Sequence, residues 1–214
     1  MINLVKSILM KVINNSFDFD SKGWRINAGE LPTPERGVYP YHYIHDKLFE
    51  SLDGKYACLF YTINEYRMGA QAGLIAIFKN KVNPNLIVNP KDQWFDYQGN
   101  SSITFFDSFI FVRKLAYNKD EKLSGTPFVV FNMTKKTFGF VDFDWSSIYY
   151  SPVKVSDTFF KFHLDAPEEL KHSTITRTNE QFDISSIKYY PFDKVNNLME
   201  LYFDEKKSRI EKGI

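Results

Sequence analysis

The chain is 214 residues long, carries a formal charge of +1 and contains one cysteine. A balanced charge gives no long-range field toward nucleic acid or an anionic membrane, and a lone thiol excludes an intramolecular disulfide. Aromatic residues make up 17% of the sequence, with 21 Phe and 13 Tyr, a load of planar side chains that favours sheets over helical bundles. Hydrophobic residues at 43% are enough to bury a core, and the length suits a single β-rich domain spanning residues 1–214.

In the first fifteen residues, MINLVKSILMKVINN, Val5, Ile8, Leu9 and Val12 form one helical stripe. Lys11 interrupts the apolar run and no small-residue cleavage site follows, so a short amphipathic helix docked on the body is expected, not a signal peptide. The stretch is also too short for a bilayer, which takes roughly 20 apolar residues, and no membrane insertion is expected. SFDFDSKGWRIN then offers a short strand ending near Trp24, and AGELPTPERGVYP reads as a Pro- and Gly-rich loop. YHYIHDKLFESL fits either a strand or a helical turn.

From Asp53 a pattern recurs. Asp53 opens DGKYACLFYTI, Asp107 opens DSFIFVRKLAY and Asp157 opens DTFFKFHLD, at spacings of 54 and 50 residues. A second landmark is the acid closing each unit: Asp92, Asp144 and Asp193, at spacings of 52 and 49. Tryptophan follows twice, as Trp94 and Trp145. Two landmarks keeping one spacing predict a structural repeat of about 50 residues, with units over 24–92, 94–144 and 145–193. The plan of a unit is plainest from Ser101 to Trp145. There SSITFF, DSFIFVRKLAY, TPFVVFN and TFGFVDFDW are four segments rich in β-branched and aromatic residues, separated by turn-forming residues and by the charged loop NKDEKLSG. This predicts a four-stranded antiparallel meander. The tail, 193–212, is expected to be an amphipathic helix capped by Asp193, with Val195, Leu198, Met199 and Tyr202 as its apolar stripe.

The predicted fold class is therefore mainly β: three consecutive four-stranded antiparallel meanders with short terminal helices. Such meanders resemble the blades of a β-propeller, closely over Trp94–Asp193 and loosely over Trp24–Asp92. The likeness is to an architecture, since Asp144-Trp145 reverses the Trp-Asp order of one familiar blade signature. Three units do not close a ring, which leaves an open arc covered by the terminal helices, a ring completed by two chains, or a two-sheet β-sandwich. The open arc is the expectation, because amphipathic helices cover sheet edges.

Catalytic patterns are scarce. His42 and His45 make an H-x-x-H without the glutamate of a zincin, and on a strand they would face opposite sides. Asp142 and Asp144 share a strand face, as do Asp18 and Asp20, but acids closing a strand are ordinarily solvated turn residues. No G-x-S-x-G elbow, P-loop or G-x-G-x-x-G occurs. No metal or cofactor is expected, and Cys58 reads as a buried inert thiol in a cytoplasmic protein.

The expected function is non-enzymatic: a cytosolic binding protein acting by stoichiometric protein–protein contact, with an immunity-type toxin neutraliser as its concrete version. Abundant Lys, Asn, Ile, Phe and Tyr fit an AT-rich bacterial genome. The alternatives are a carbohydrate-active or other hydrolase using Asp142, Asp144 or Asp96, and a self-associating subunit or homodimer. An antiparallel meander places alternate loops on opposite edges. One edge then gathers residues 64–71, 91–97, 117–125 and 142–146, offering Arg67, Trp94, Asp96, Asp144 and Trp145 as partner-binding residues. Arg36, Tyr39 and Tyr41 in the loop before them add side chains of the kind that anchor interfaces.

Overall fold

The computed structural model describes residues 16–18, 25–27, 47–67, 70–79, 85–88, 95–97, 102–114, 116–118, 120–125, 127–141, 150–164 and 181–213. The architecture is mainly β, with antiparallel sheets and one C-terminal helix. Among the described residues no sheet closes on itself. A small hairpin, β1 (Ser16–Asp18) with β2 (Arg25–Asn27), stands as a sheet of its own.

The first large sheet runs β3 (Lys47–Glu50), β4 (Ala57–Arg67), β5 (Ala70–Phe78) and β6 (Leu86–Val88) in chain order. Beside β6, strand β7 (Phe95–Tyr97) also pairs with β5, opposite Gln71–Gly73. The second sheet contains β8 (Ile103–Phe106), β9 (Phe109–Arg113), β12 (Phe128–Asn132) and β13 (Thr137–Val141) as a four-stranded antiparallel meander. Between β9 and β12 a separate hairpin is inserted, β10 (Ala116–Asn118) with β11 (Leu123–Gly125). The third sheet has three strands, β14 (Tyr150–Lys154), β15 (Phe159–Leu164) and β16 (Gln181–Asp183).

The last strand, β17 (Tyr190–Pro191), departs from the sequence expectation of a fourth strand for the third unit. It pairs instead with β13 of the second sheet, Phe138 opposite Tyr190 and Thr137 opposite Pro191. The physical reason lies at Gly139. A Cβ there would sit 2.6 Å from both Ile187 Cγ2 and the Lys188 carbonyl oxygen, so only a glycine lets residues 187–188 cross the sheet this closely. In crossing, the chain reaches the exposed edge of β13 and pairs with it. Three further expectations change. Phe95–Tyr97 belongs to the first sheet, DSFIFVRKLAY divides into β9 and the start of the inserted hairpin, and the charged loop is that hairpin's turn.

Side-chain alternation shows how the sheets stack. Ile110, Val112, Val129, Phe131, Phe138 and Phe140 project from one face of the second sheet into a cluster with Cys58, Phe60, Ile75 and Ile77 of the first. Phe111, Phe128, Val130 and Val141 project from the other face, toward Phe160 and Ile184 beside the third sheet. The second sheet is thus covered on both faces, which is why FIFVR and FVVFN read as nearly continuous apolar runs. The Phe111 ring lies 5.2 Å from Phe160 and 5.6 Å from Phe106. Such ring pairs contribute about 0.5–1.5 kcal/mol each beyond area burial. A third cluster, Ala57, Leu59, Leu74, Ala76 and Phe78, occupies the opposite face of the first sheet.

The C-terminal segment begins as a 3-10 turn over Phe192–Asn197 and becomes helix α1 at Leu198–Lys212. Asp193 lies in the first turn of the 3-10 segment and does not act as the expected cap of α1, whose cap position is Asn197. Val195, Leu198, Met199 and Tyr202 are buried in the cluster between the first and second sheets, as their spacing requires. The Lys207 ammonium pairs with Glu121 on the inserted hairpin and fastens the helix there. The predicted N-terminal helix, and the landmarks Trp24, Asp92 and Trp94, lie outside the described residues.

Candidate functional site: the edge of the first turns

Of the residues selected on sequence, Arg36, Tyr39, Tyr41, Trp94, Asp144 and Trp145 lie outside the described residues, as do His42, His45 and Asp142. Arg67 closes β4 opposite Ala70, and Asp96 is the middle residue of β7 opposite Ala72. The two therefore stand on either side of β5, at the same end of the first sheet. Register shifts in β4 between Thr62 and Asn64, and between Glu65 and Arg67, bend that end of the strand. Gly73 allows the bend, because a Cβ there would lie 2.2 Å from the Tyr61 carbonyl oxygen.

Two cations in the second sheet were missed on sequence. Arg113 ends β9, Lys114 follows it, both are buried, and the Arg113 guanidinium lies 5.4 Å from the centre of the Phe128 ring. The Lys114 backbone N–H donates to the Pro127 carbonyl at 2.9 Å, carrying the ladder one residue further. Their signal was present in FIFVRK: residues continuing the alternation of a doubly buried strand are buried whatever their charge.

The opposite edge holds the three opening aspartates. Asp53 lies between β3 and β4, Asp107 between β8 and β9, and Asp157 between β14 and β15, each in the turn joining the first two strands of a sheet. Asp107 holds a left-handed backbone, φ 51°, which an aspartate tolerates better than most residues. At the first turn the Ser51 hydroxyl and the Lys55 backbone N–H both donate to Asp53 Oδ1, at 2.8 and 3.1 Å. Lys55 Nζ lies 2.9 Å from Asp53 Oδ2. The Lys55 ammonium, then the Ser51 hydroxyl, lower the Asp53 carboxyl to about 2.

Neighbouring turns are linked by lysine. Lys154 pairs opposite Phe160, whose ring faces the second sheet, so its ammonium reaches the same way. It donates to Asp107 Oδ2 at 2.7 Å and lies 3.1 Å from Asp157 Oδ1. Both carboxylates, Asp107 first, hold the Lys154 ammonium in its charged form above the ordinary lysine range. Lys55 is raised too, chiefly by Asp53 with a smaller contribution from Asp107. The row Asp53, Lys55, Asp107, Lys154, Asp157 thus runs along one edge of three packed sheets. Leu52 stands in it fully exposed.

The three carboxylates of this edge are exposed, and each faces a lysine. Burial alone pushes the Cys58 thiol far up, which leaves it neutral and poorly nucleophilic. Among the described residues no group of three His, Cys, Asp or Glu side chains is placed to hold a metal ion. Nor is any described helix long and apolar enough to cross a membrane. No family model, curated protein or solved structure matches the chain.

Proposed function

We propose that this chain is a non-enzymatic binding protein that acts by stoichiometric contact with another protein, an immunity-type neutraliser of a toxin being its most concrete form. The carrying observation is the row of first turns, presented side by side on sheets whose shared faces are filled. Function placed on loops needs such a rigid scaffold. The partner that fits offers an apolar pocket for Leu52, bordered by hydrogen-bond donors for Asp53, Asp107 and Asp157. Arg67, Trp94, Asp96, Asp144 and Trp145 remain part of the proposal as a second contact edge, and Arg36, Tyr39 and Tyr41 as a further contact loop. A buried free thiol suits a reducing cytoplasm.

The same reading takes the three sheets as propeller-like blades in an open arc. Their face-to-face packing in chain order supports it, as does the common position of the three opening aspartates. The test is capture from a lysate of the native host on immobilised wild-type chain and on a Leu52→Asp variant, a substitution the exposed turn tolerates. One protein should be retained in stoichiometric amount by the wild type and lost with the variant. Equal recovery on both, or nothing above background at low salt, overturns the proposal.

A further inference from the structure

Asp53-Gly54 is the single step in the sequence at which an Asp or Asn precedes a Gly. At such a step the glycine nitrogen, with no side chain on the next Cα to hinder it, can attack the aspartyl carboxyl. A bond forms between Gly54 N and Asp53 Cγ, the amide proton and the carboxyl hydroxyl leave as water, and a succinimide ring closes. Water then opens the ring at one of its two carbonyls. Opening at Cγ restores aspartate. Opening at the Asp53 backbone carbonyl leaves the main chain running through Cγ, an isoaspartate of unchanged mass. Only water leaves and enters, so the conversion needs no other reactant.

The fold both requires this step and closes it. Gly54 holds a left-handed backbone, φ 67°, in which other residues are strained. Asp53 supplies the side-chain acceptor that turns of this kind favour. The bonds of the turn then stand against ring closure. The Gly54 N–H proton, which must be lost, is donated to the Ser51 carbonyl at 2.9 Å. One carboxylate oxygen must also leave, and both are held: Oδ1 by the Ser51 hydroxyl and the Lys55 backbone N–H, Oδ2 by the Lys55 ammonium. The same donors keep the carboxyl ionised, whereas the protonated acid is the form that loses water. Ser51 is itself fixed. It is buried, its backbone N–H donates to the Tyr56 carbonyl, and its hydroxyl oxygen accepts the Tyr56 N–H. Leu52, Asp53, Gly54 and Lys55 are exposed, so solvent reaches the step directly.

We propose that Asp53-Gly54 is a self-modification site gated by the fold: it converts to isoaspartate when the turn opens, and Ser51 and Lys55 hold it as aspartate while the turn is closed. The product has one more methylene in its main chain and carries its carboxylate on Cα, so the closed turn does not re-form unchanged. The inference concerns the chemistry of one turn and stands whether or not the row of first turns binds a partner.

Ageing the whole chain at neutral pH in heavy-oxygen water tests it, with isoaspartate located by peptide mapping and by isoaspartyl methyltransferase labelling. In urea, isoaspartate gathers at position 53 ahead of every other position. In the folded chain it forms at least about tenfold more slowly, because ring closure waits on a local opening. Asp53→Glu, whose longer side chain does not close the same ring, carries no signal there. Ser51→Ala, with folding and melting checked by circular dichroism, speeds conversion several-fold in the folded state, and Lys55→Ala takes its place if that variant fails to fold. Equal rates in the folded and unfolded chain overturn the inference. So do a first conversion elsewhere in urea, a signal that survives Asp53→Glu, and a folded Ser51→Ala or Lys55→Ala chain that ages no faster than wild type.

Discussion

Replacing Gly139 by alanine tests where the chain goes after the third sheet. The added methyl would lie 2.6 Å from the Lys188 carbonyl oxygen and 2.6 Å from Ile187 Cγ2. The first is backbone and has no rotamer through which to yield. Relief requires residues 187–188 to lift from β13, which strains the adjacent pairing of Phe138 with Tyr190. Overpacking of this kind costs about 1–3 kcal/mol. In a chain of this length each kcal/mol lowers Tm by roughly 2–4 °C. Urea unfolding followed by far-ultraviolet circular dichroism measures the loss, with the slope of the transition unchanged. An alanine variant within about 0.5 kcal/mol of wild type, the range of ordinary surface substitutions, would refute the crossing and the assignment of β17 to the second sheet.

Other consequences concern the core and the turns. Phe111→Ala removes a fully buried ring that touches the third sheet and is expected to cost about 3–5 kcal/mol by chemical denaturation. Lys154→Ala breaks only solvent-screened ion pairs and should leave the denaturation midpoint nearly unchanged, so any large loss of partner binding in that variant reports on the interface and not on the fold. Asp53 has a lowered folded value, so its stabilising contribution is complete above the ordinary 3.8 and is lost as pH falls toward about 2. Carboxyl titration by NMR should find it near the lower figure, and Asp53→Asn should flatten the stability profile between the two. Cys58 should resist a thiol reagent in the native protein and react at once in denaturant.

Strand content and turn positions were legible in the sequence because both are local properties. FVVFN and TFGFV carry β-branched and aromatic residues, and aspartates sit where the chain reverses, so Asp53, Asp107 and Asp157 could be located from spacing alone. The destination of YYPF was not legible. Its pattern declares a strand, but the choice between joining β16 and joining β13 is settled by a close approach over Gly139, which no neighbouring residue announces. The cap of α1 was misplaced for a related reason. Asp193 has the right chemistry for a helix start, yet the chain first turns through a 3-10 segment that holds Val195 in the core. As for the candidate site, the meander rule identified two edges and rings were sought on one of them. The lysine link of the other edge, Lys154 to Asp107, joins residues 47 positions apart in sequence and emerges only when the sheets are stacked.

The claim on which the rest depends is that the second sheet is enclosed, one face against the first sheet and the other against the third. Aromatic nuclear Overhauser spectroscopy on selectively labelled phenylalanine tests it most directly. The Phe160 ring should show cross-peaks to Phe111 at 5.2 Å and to Phe106 at 5.1 Å, both across the boundary between the second and third sheets. A Phe160 ring whose contacts are confined to residues of its own sheet, such as Phe182, would contradict the stacking.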